Sequence, residues 1–339
     1  MKRSPNFQYK NVLSVSIAHY IHDVYSVFLS PVIPLLIEKL GINYSMAGIL
    51  TFSQRFPSLF NPFIGMFIDR WKVRYFVIFA PAITSICMSL LGVAPSFTFA
   101  VVLMLLMGVS SAFFHVPAPV MIKAFSGDRV GRGMSFYMVG GELARTTGPI
   151  IILGAISLWG LEGTYRLIPF GLAASVFLFV RFGNIDIRPD ERPSHDLSAF
   201  KRTFQKHMTF FLLIAGIMFF RAFMKTSILF FLPAYLKEAG ESLWFGGMSL
   251  SVFELSGAAG TFLSGNLSDR LGRVNTLLIV TIVAPLLVLL FVFVKGFWVL
   301  PVLVILGFFM LSTEPVVLAF VMDRATEHHS FMNGIYMTI

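Results

Sequence analysis

Eight charged side chains and three histidines lie inside long apolar stretches of this chain. The charges are Asp23, Arg55, Glu142, Arg145, Arg221, Lys225, Glu254 and Glu314, and the histidines are His19, His22 and His115. At a bilayer centre each charge costs at least about 2.5 kcal/mol unless it meets a partner or water. Two kinds of chemistry repay such placement. A carboxylate there can take up and release a proton, because burial and neighbouring cations pull its affinity in opposite directions. A guanidinium or ammonium there can hold an anionic solute. Asp23 and Glu314 are the first candidates for proton coupling, with Glu142 and Glu254 the remaining buried acids. His19, His22, Arg55, His115, Arg145, Arg221 and Lys225 are expected along a substrate path. The competing reading is of paired charges that merely hold helices together, and it is strongest for Glu142 and Arg145, three residues apart.

Helical geometry says which of these groups share a face. At about 100° per residue, His19, His22, Asp23, Ser26 and Ser30 fall within about 100° of arc. Gly108, Ser111, Ala112, His115 and Pro119 form a second small-and-polar stripe. Arg221 and Lys225 are one turn apart.

The elements that carry these groups are membrane spans. Of 339 residues 56% are hydrophobic and 13% charged, against about a quarter charged in soluble domains. A spanning helix needs roughly 20 apolar residues. Ten stretches qualify: 11–38, 44–68, 75–94, 97–124, 134–159, 163–182, 208–236, 242–267, 274–294 and 297–322. An eleventh begins near Phe331 and is cut at Ile339, so a truncated twelve-helix plan is expected. The first stretch is too long for a cleavable signal peptide and contains Asp23 and two prolines. Cys87 is the only cysteine, which rules out an intrachain disulfide.

The chain repeats itself at a separation of 199 residues. Pro34 falls on Pro233, Gly41 on Gly240, Gly48 on Gly247 and Gly108 on Gly307. Polar positions recur with changed side chains: His22 on Arg221, Ser26 on Lys225, Arg55 on Glu254 and His115 on Glu314. Two related blocks of membrane helices around one path are the architecture of secondary transporters. The expected division is a six-helix bundle over 1–182, a polar linker over 183–207 and a second bundle over 208–339.

The net charge of +9 does not point to nucleic acid. With the N-terminus cytoplasmic, 18 Lys/Arg and 9 Asp/Glu lie in cytoplasmic segments, while external loops hold 4 of each. That asymmetry is the positive-inside rule. It places Arg70–Arg74, Gly127–Gly133, Gly183–Lys206 and Arg270–Arg273 on the cytoplasmic side of a cell membrane. A cysteine introduced at Ser194 should therefore react with an impermeant thiol reagent only after the membrane is opened. Labelling of intact cells would reverse the orientation.

Two loops share a pattern. One reads Gly65-Met-Phe-Ile-Asp69-Arg70-Trp-Lys-Val-Arg74, the other Gly265-Asn-Leu-Ser-Asp269-Arg270-Leu-Gly272-Arg273. Glycine permits close helix contact, the aspartate can accept from backbone donors of a neighbouring helix, and arginine pairs with carboxylates or lipid phosphate. The doubled pattern resembles the cytoplasmic loop signature of the major facilitator superfamily, with Lys72 where glycine is expected. Gly65, Asp69, Arg70, Arg74, Gly265, Asp269, Arg270, Gly272 and Arg273 are expected to form a conformational latch. A further stretch is similar to the fosmidomycin-resistance-type efflux proteins: Phe114-His115, Ser126-Gly127, Arg129, Gly131, Ser135, Gly140-Gly141 and Gly148-Pro149, with His19-Tyr-Ile-His22-Asp23-Val-Tyr25. Gly148-Pro149 also resembles the fifth-helix motif of drug–proton antiporters, although the residues that follow lack its glycine-rich ending.

The resemblance implies an all-α polytopic membrane protein of two six-helix bundles that moves a small solute by alternating access, with proton-coupled drug efflux as its function. Proton symport for uptake of an organic anion or sugar is the alternative, and a membrane-embedded enzyme the distant one. His-Glu-x-x-His, Gly-x-Ser-x-Gly and phosphate-binding glycine motifs are missing. Glu327, His328 and His329 read as a solvated loop rather than a metal site. The expected partners are a small-molecule substrate, protons and the bilayer. No cofactor, no metal and no nucleic acid is expected, and the chain is expected to act as a monomer.

Overall fold

The computed structural model describes residues 6–68, 73–185, 197–241, 243–325 and 328–339. Every regular element among them is helical. The first span is α1 (Tyr9–Ser26) and α2 (Leu29–Leu40). The second is α3 (Tyr44–Arg55), a 3-10 turn over Phe56–Phe60 and α4 (Asn61–Ile68). The third is α5 (Val73–Ser89). The fourth is α6 (Phe97–His115) and α7 (Ala118–Ser126), the fifth α8 (Val130–Trp159), and the sixth α9 (Ile168–Phe182). Then come α10 (Leu197–Glu238), α11 (Leu243–Leu271), α12 (Arg273–Phe293), the pair α13 (Val299–Leu311) and α14 (Thr313–Arg324), and finally α15 (His329–Thr338). Seven of the helical spans are by themselves long and apolar enough to cross a membrane. The second, fifth and eighth are interrupted or more polar, and these helices face the opposite bundle.

Prolines break the spans where backbone groups find other partners. Pro119 has no N–H, so the carbonyl of His115, four residues earlier, loses its helical donor. Asn333 of α15 donates its Nδ2 to that oxygen at 2.9 Å and to the Val116 oxygen at 2.8 Å. Pro315 leaves the Leu311 carbonyl in the same position, and Thr261 donates to it at 3.1 Å. Within a bilayer such repair is obligatory. Asn333→Ala should lower unfolding free energy by about 1–3 kcal/mol, because two buried carbonyls lose their donor. Denaturant titration in detergent checks this.

The 199-residue repeat recurs as equivalent contacts in the two halves. Gly108 lies against the Gln54 carbonyl, and Gly307 against the Phe253 carbonyl, the same pair one repeat on. The relation also crosses between bundles. Gly65 of α4 abuts the Ser330 backbone of α15, and Gly265 of α11 abuts the Gly131 backbone of α8. A Cβ at Gly265 would overlap the Gly131 carbonyl, so only glycine allows this approach.

These contacts lie at the basic-loop end and close the bundles there. Ser135 of α8 donates to the Thr261 carbonyl at 2.7 Å and accepts from the Gly265 N–H at 3.0 Å. Lys123 of α7 is buried and donates to the Met322 and Ala325 carbonyls at the end of α14. It thereby neutralises the negative end of that helix.

Two expectations change here. The linker expected over 183–207 is in part helix, since α10 begins at Leu197. Phe200 is buried with its ring 4.2 Å from that of His328 and 5.2 Å from that of Phe331. Docking one apolar ring draws the polar segment around it into the helix. For the same reason His328 and His329 are buried rather than solvated. Glu327 lies outside the described residues.

Candidate functional site

The first cluster belongs to the first bundle. Asp23 of α1 is buried with imidazoles on three sides. His19 Nε2 is 3.2 Å from its Oδ2, His115 Nε2 3.2 Å from its Oδ1, and His22 Nδ1 3.1 Å from the same Oδ1. Aromatic faces hold the rings. His19 stacks on Tyr137 at 4.0 Å and His22 on Phe114 at 4.6 Å. His22 is fully buried and points into the bundle, where Nε2 meets the Thr84 hydroxyl at 3.2 Å. Thr84 continues to Ser110 at 2.9 Å, and Ser110 donates to the Ala80 carbonyl at 3.1 Å. His115 is less buried than His19 and His22.

The second cluster is ionic and draws on both bundles. Arg221 of α10 pairs with Glu314 of α14, Nη1 to Oε1 at 2.8 Å, and its Nε donates to the Met310 carbonyl at 3.1 Å. Its Nη2 is buried without a hydrogen-bond partner among the described residues. Glu142 and Arg145 of α8 form an ion pair through Arg145 Nη2, and Arg145 Nε reaches Glu142 Oε2 at 3.3 Å. Arg145 and Lys225 both lie within Coulombic reach of Glu314 and of Glu254. Charges from the fifth, seventh, eighth and tenth spans thus lie within reach of one another. The two clusters are related by the repeat. The His22 and His115 rings meet edge-on at 5.2 Å, and their counterparts one repeat later are the ion pair Arg221–Glu314. Arg55 is exposed and makes no ion pair among the described residues.

The loop residues divide. Asp269 Oδ1 accepts from the Gly131 N–H at 2.9 Å and Oδ2 from the Arg132 N–H at 2.8 Å. A carboxylate on two free N–H groups at the start of a 30-residue helix is favourably placed. Arg273 joins Asp269 at 2.7 Å to Asp323 at 2.9 Å, tying α11 and α12 to α14. Gly272 has φ of +86° and precedes α12, a conformation glycine adopts without strain. Arg74 is buried and donates to the Ile185 carbonyl. Arg270 is exposed. Asp69 and Arg70 lie outside the described residues.

Sequence reasoning passed over Lys123, Asp323, Asn333, Thr84, Ser110 and Tyr137. For Asn333 a signal exists: a lone amide in an apolar segment, opposite a stretch with two prolines. Lys123 and Asp323 read as loop-edge charges, and nothing local distinguishes them from solvated ones.

With this geometry, comparison with known proteins is decisive. The sequence profile of the Major Facilitator Superfamily matches residues 15–339. The chain belongs to the major facilitator superfamily. It is a multi-pass membrane transporter of the secondary type and not an enzyme. It is 23% identical over 328 residues to the fosmidomycin resistance protein of Escherichia coli (strain K12), covering 95% of this chain and 80% of that one. It is 22% identical over 268 residues to the multi-drug resistance efflux pump PmrA of Streptococcus pneumoniae serotype 4, covering 77% of this chain and 67% of the pump. Among solved structures it resembles the transporter FucP in the outward conformation. The TM-score is 0.78 at 13% identity, over 97% of this chain and 88% of FucP. At that identity the likeness concerns the fold.

Proposed function

We propose that this superfamily member exports a small, negatively charged organic solute in exchange for protons. One observation carries the reading: ionisable groups from both halves of the repeat converge, Glu142 and Arg221 buried and Lys225, Glu254 and Glu314 half-buried around the exposed Arg145, and the bundles close at the basic-loop end. In this reading the basic-loop face is cytoplasmic, the protein acts as a monomer in the cell membrane, and the conformation is outward-open. The moving bodies are residues 1–182 and 208–339, joined by the segment 183–207. Arg145, Arg221 and Lys225 are the seat for the solute's negative charge, with Arg55 on the second span. Among the acids of the cluster the half-buried Glu314 is the proton carrier, because cations of both bundles compete for it. Glu142 and Glu254 share its surroundings, and Asp23 stands apart within its imidazoles. The likeness to the multi-drug resistance efflux pump PmrA supports the outward direction of transport.

Fosmidomycin, a phosphonate anion, is the probe of choice. Added to the purified protein in weakly buffered detergent with a pH-sensitive dye, it should bind and release protons. Glu314→Gln should bind it without the release. Binding with no proton movement would remove proton coupling from the reading. The Arg221–Glu314 pair favours a second reading, proton symport of an organic anion. A solute anion at Arg221 would displace Glu314, and a carboxylate stripped of its cation in a low dielectric takes up a proton. Proton uptake on binding would decide for symport.

A further inference from the structure

We propose that His19, Asp23 and His115 form a binding site for a d-block dication of the zinc type. His19 Nε2, His115 Nε2 and the Asp23 carboxylate oxygens lie 3.2 Å from one another in each pairing. Zinc bonds to imidazole and carboxylate of about 2.0–2.2 Å, at tetrahedral angles, separate neighbouring donors by about 3.3–3.6 Å. The three groups therefore already stand near the corners of one coordination face.

The hydrogen bonds behind them fix which atoms point inward. His19 Nδ1 is 2.7 Å from the Tyr137 carbonyl, and His115 Nδ1 is 2.9 Å from the Ser111 carbonyl. A carbonyl only accepts, so each Nδ1 carries a ring hydrogen, and in the neutral ring each Nε2 then presents a lone pair. Outer hydrogen bonds of this kind orient metal-binding histidines. His22 is held the same way. Ser110 gives its hydrogen to Ala80, and Thr84 gives its own to Ser110, so His22 Nε2–H donates to Thr84. Its Nδ1 lone pair then also faces Asp23.

With neutral rings, a carboxylate and three nitrogen lone pairs thus converge with no hydrogen between them. Four acceptors at such distances repel one another until a cation enters. A proton relieves one contact at a time, whereas a metal ion engages three donors together. Two imidazoles and a carboxylate suit zinc, cobalt or nickel rather than magnesium or calcium, which prefer oxygen. The fourth position lies toward His115, whose side chain is 23% exposed against 4% for His19 and 10% for Asp23. His19 and Asp23 are one turn apart on α1 and His115 comes from α6, so no local spacing motif reveals the site.

Zinc binding by this triangle requires no transport activity, and its failure leaves the transporter reading intact. The test uses the untagged full chain in detergent, stripped with a chelator and titrated with zinc chloride by calorimetry. Cobalt chloride serves as the spectroscopic probe. We expect one zinc per chain and a cobalt spectrum of tetrahedral intensity. His115→Ala, His19→Ala and Asp23→Asn should each lower affinity by at least about tenfold, since loss of even an outer-shell partner costs that much. His207→Ala should leave affinity unchanged. Zinc should also raise the melting temperature of the wild type, a readout that does not depend on the variants folding. Absence of stoichiometric zinc, or affinity unchanged in folded His115→Ala, would overturn the proposal. So would an octahedral, weakly absorbing cobalt complex.

Discussion

Glu314→Leu is expected to destabilise the protein by about 3 kcal/mol and to abolish transport. The variant strands the Arg221 guanidinium, which is 6% exposed and already has one nitrogen without a partner. Removing one member of a buried pair leaves an uncompensated charge, a cost of about 3–5 kcal/mol, whereas replacing both by apolar groups is often neutral. Arg221→Met combined with Glu314→Leu should therefore recover most of the stability while remaining inactive. Unfolding in a denaturing detergent, with solute flux in vesicles, separates the two effects. A double variant no more stable than either single one would show that the pair is not the unit of stabilisation. A fully active double variant would remove both residues from the path.

The second large effect is expected at the closure between α8 and α11. Asp269→Asn replaces a carboxylate that accepts two backbone N–H groups and pairs with Arg273. An amide presents one acceptor and one donor, so one N–H bond is lost and Arg273 loses a counter-charge. Hydrogen bonds to charged groups contribute about 1.5–3 kcal/mol, enough to shift a two-state equilibrium by about tenfold to 150-fold. The closed form at the basic-loop end should lose population, and transport should slow. Solute affinity should be nearly unchanged, because the residue sits at the membrane edge, away from the ionic cluster. Spin labels at the exposed positions Arg129 and Leu271, in a Cys87→Ser background, report the gap. A longer-distance population is expected in the variant. An unaltered distance distribution together with lost binding would assign Asp269 a direct ligand role.

Much of this protein is decided by composition and periodicity. Runs of about 20 apolar residues can only become helices in a bilayer, because each backbone group must be satisfied within its own segment. The 199-residue repeat required two related bundles. Since helical phase follows from spacing, it also placed His19, His22 and Asp23 on one face and paired Glu142 with Arg145. The doubled loop pattern marked where the bundles would touch.

What tertiary structure alone decided is which faces meet. Nothing local says that Asn333 would serve carbonyls freed by Pro119, more than 200 residues away, or that Lys123 would cap α14. Nor could spacing show that His115 would complete a cage around Asp23 while its counterpart Glu314 paired with Arg221. Helical phase gives direction about one axis. The rotation and depth of neighbouring helices are set by close packing, here by glycines such as Gly131 and Gly265 that admit backbone against backbone. Those contacts turned a set of costly intramembrane charges into two ordered clusters and closed the bundles at one end.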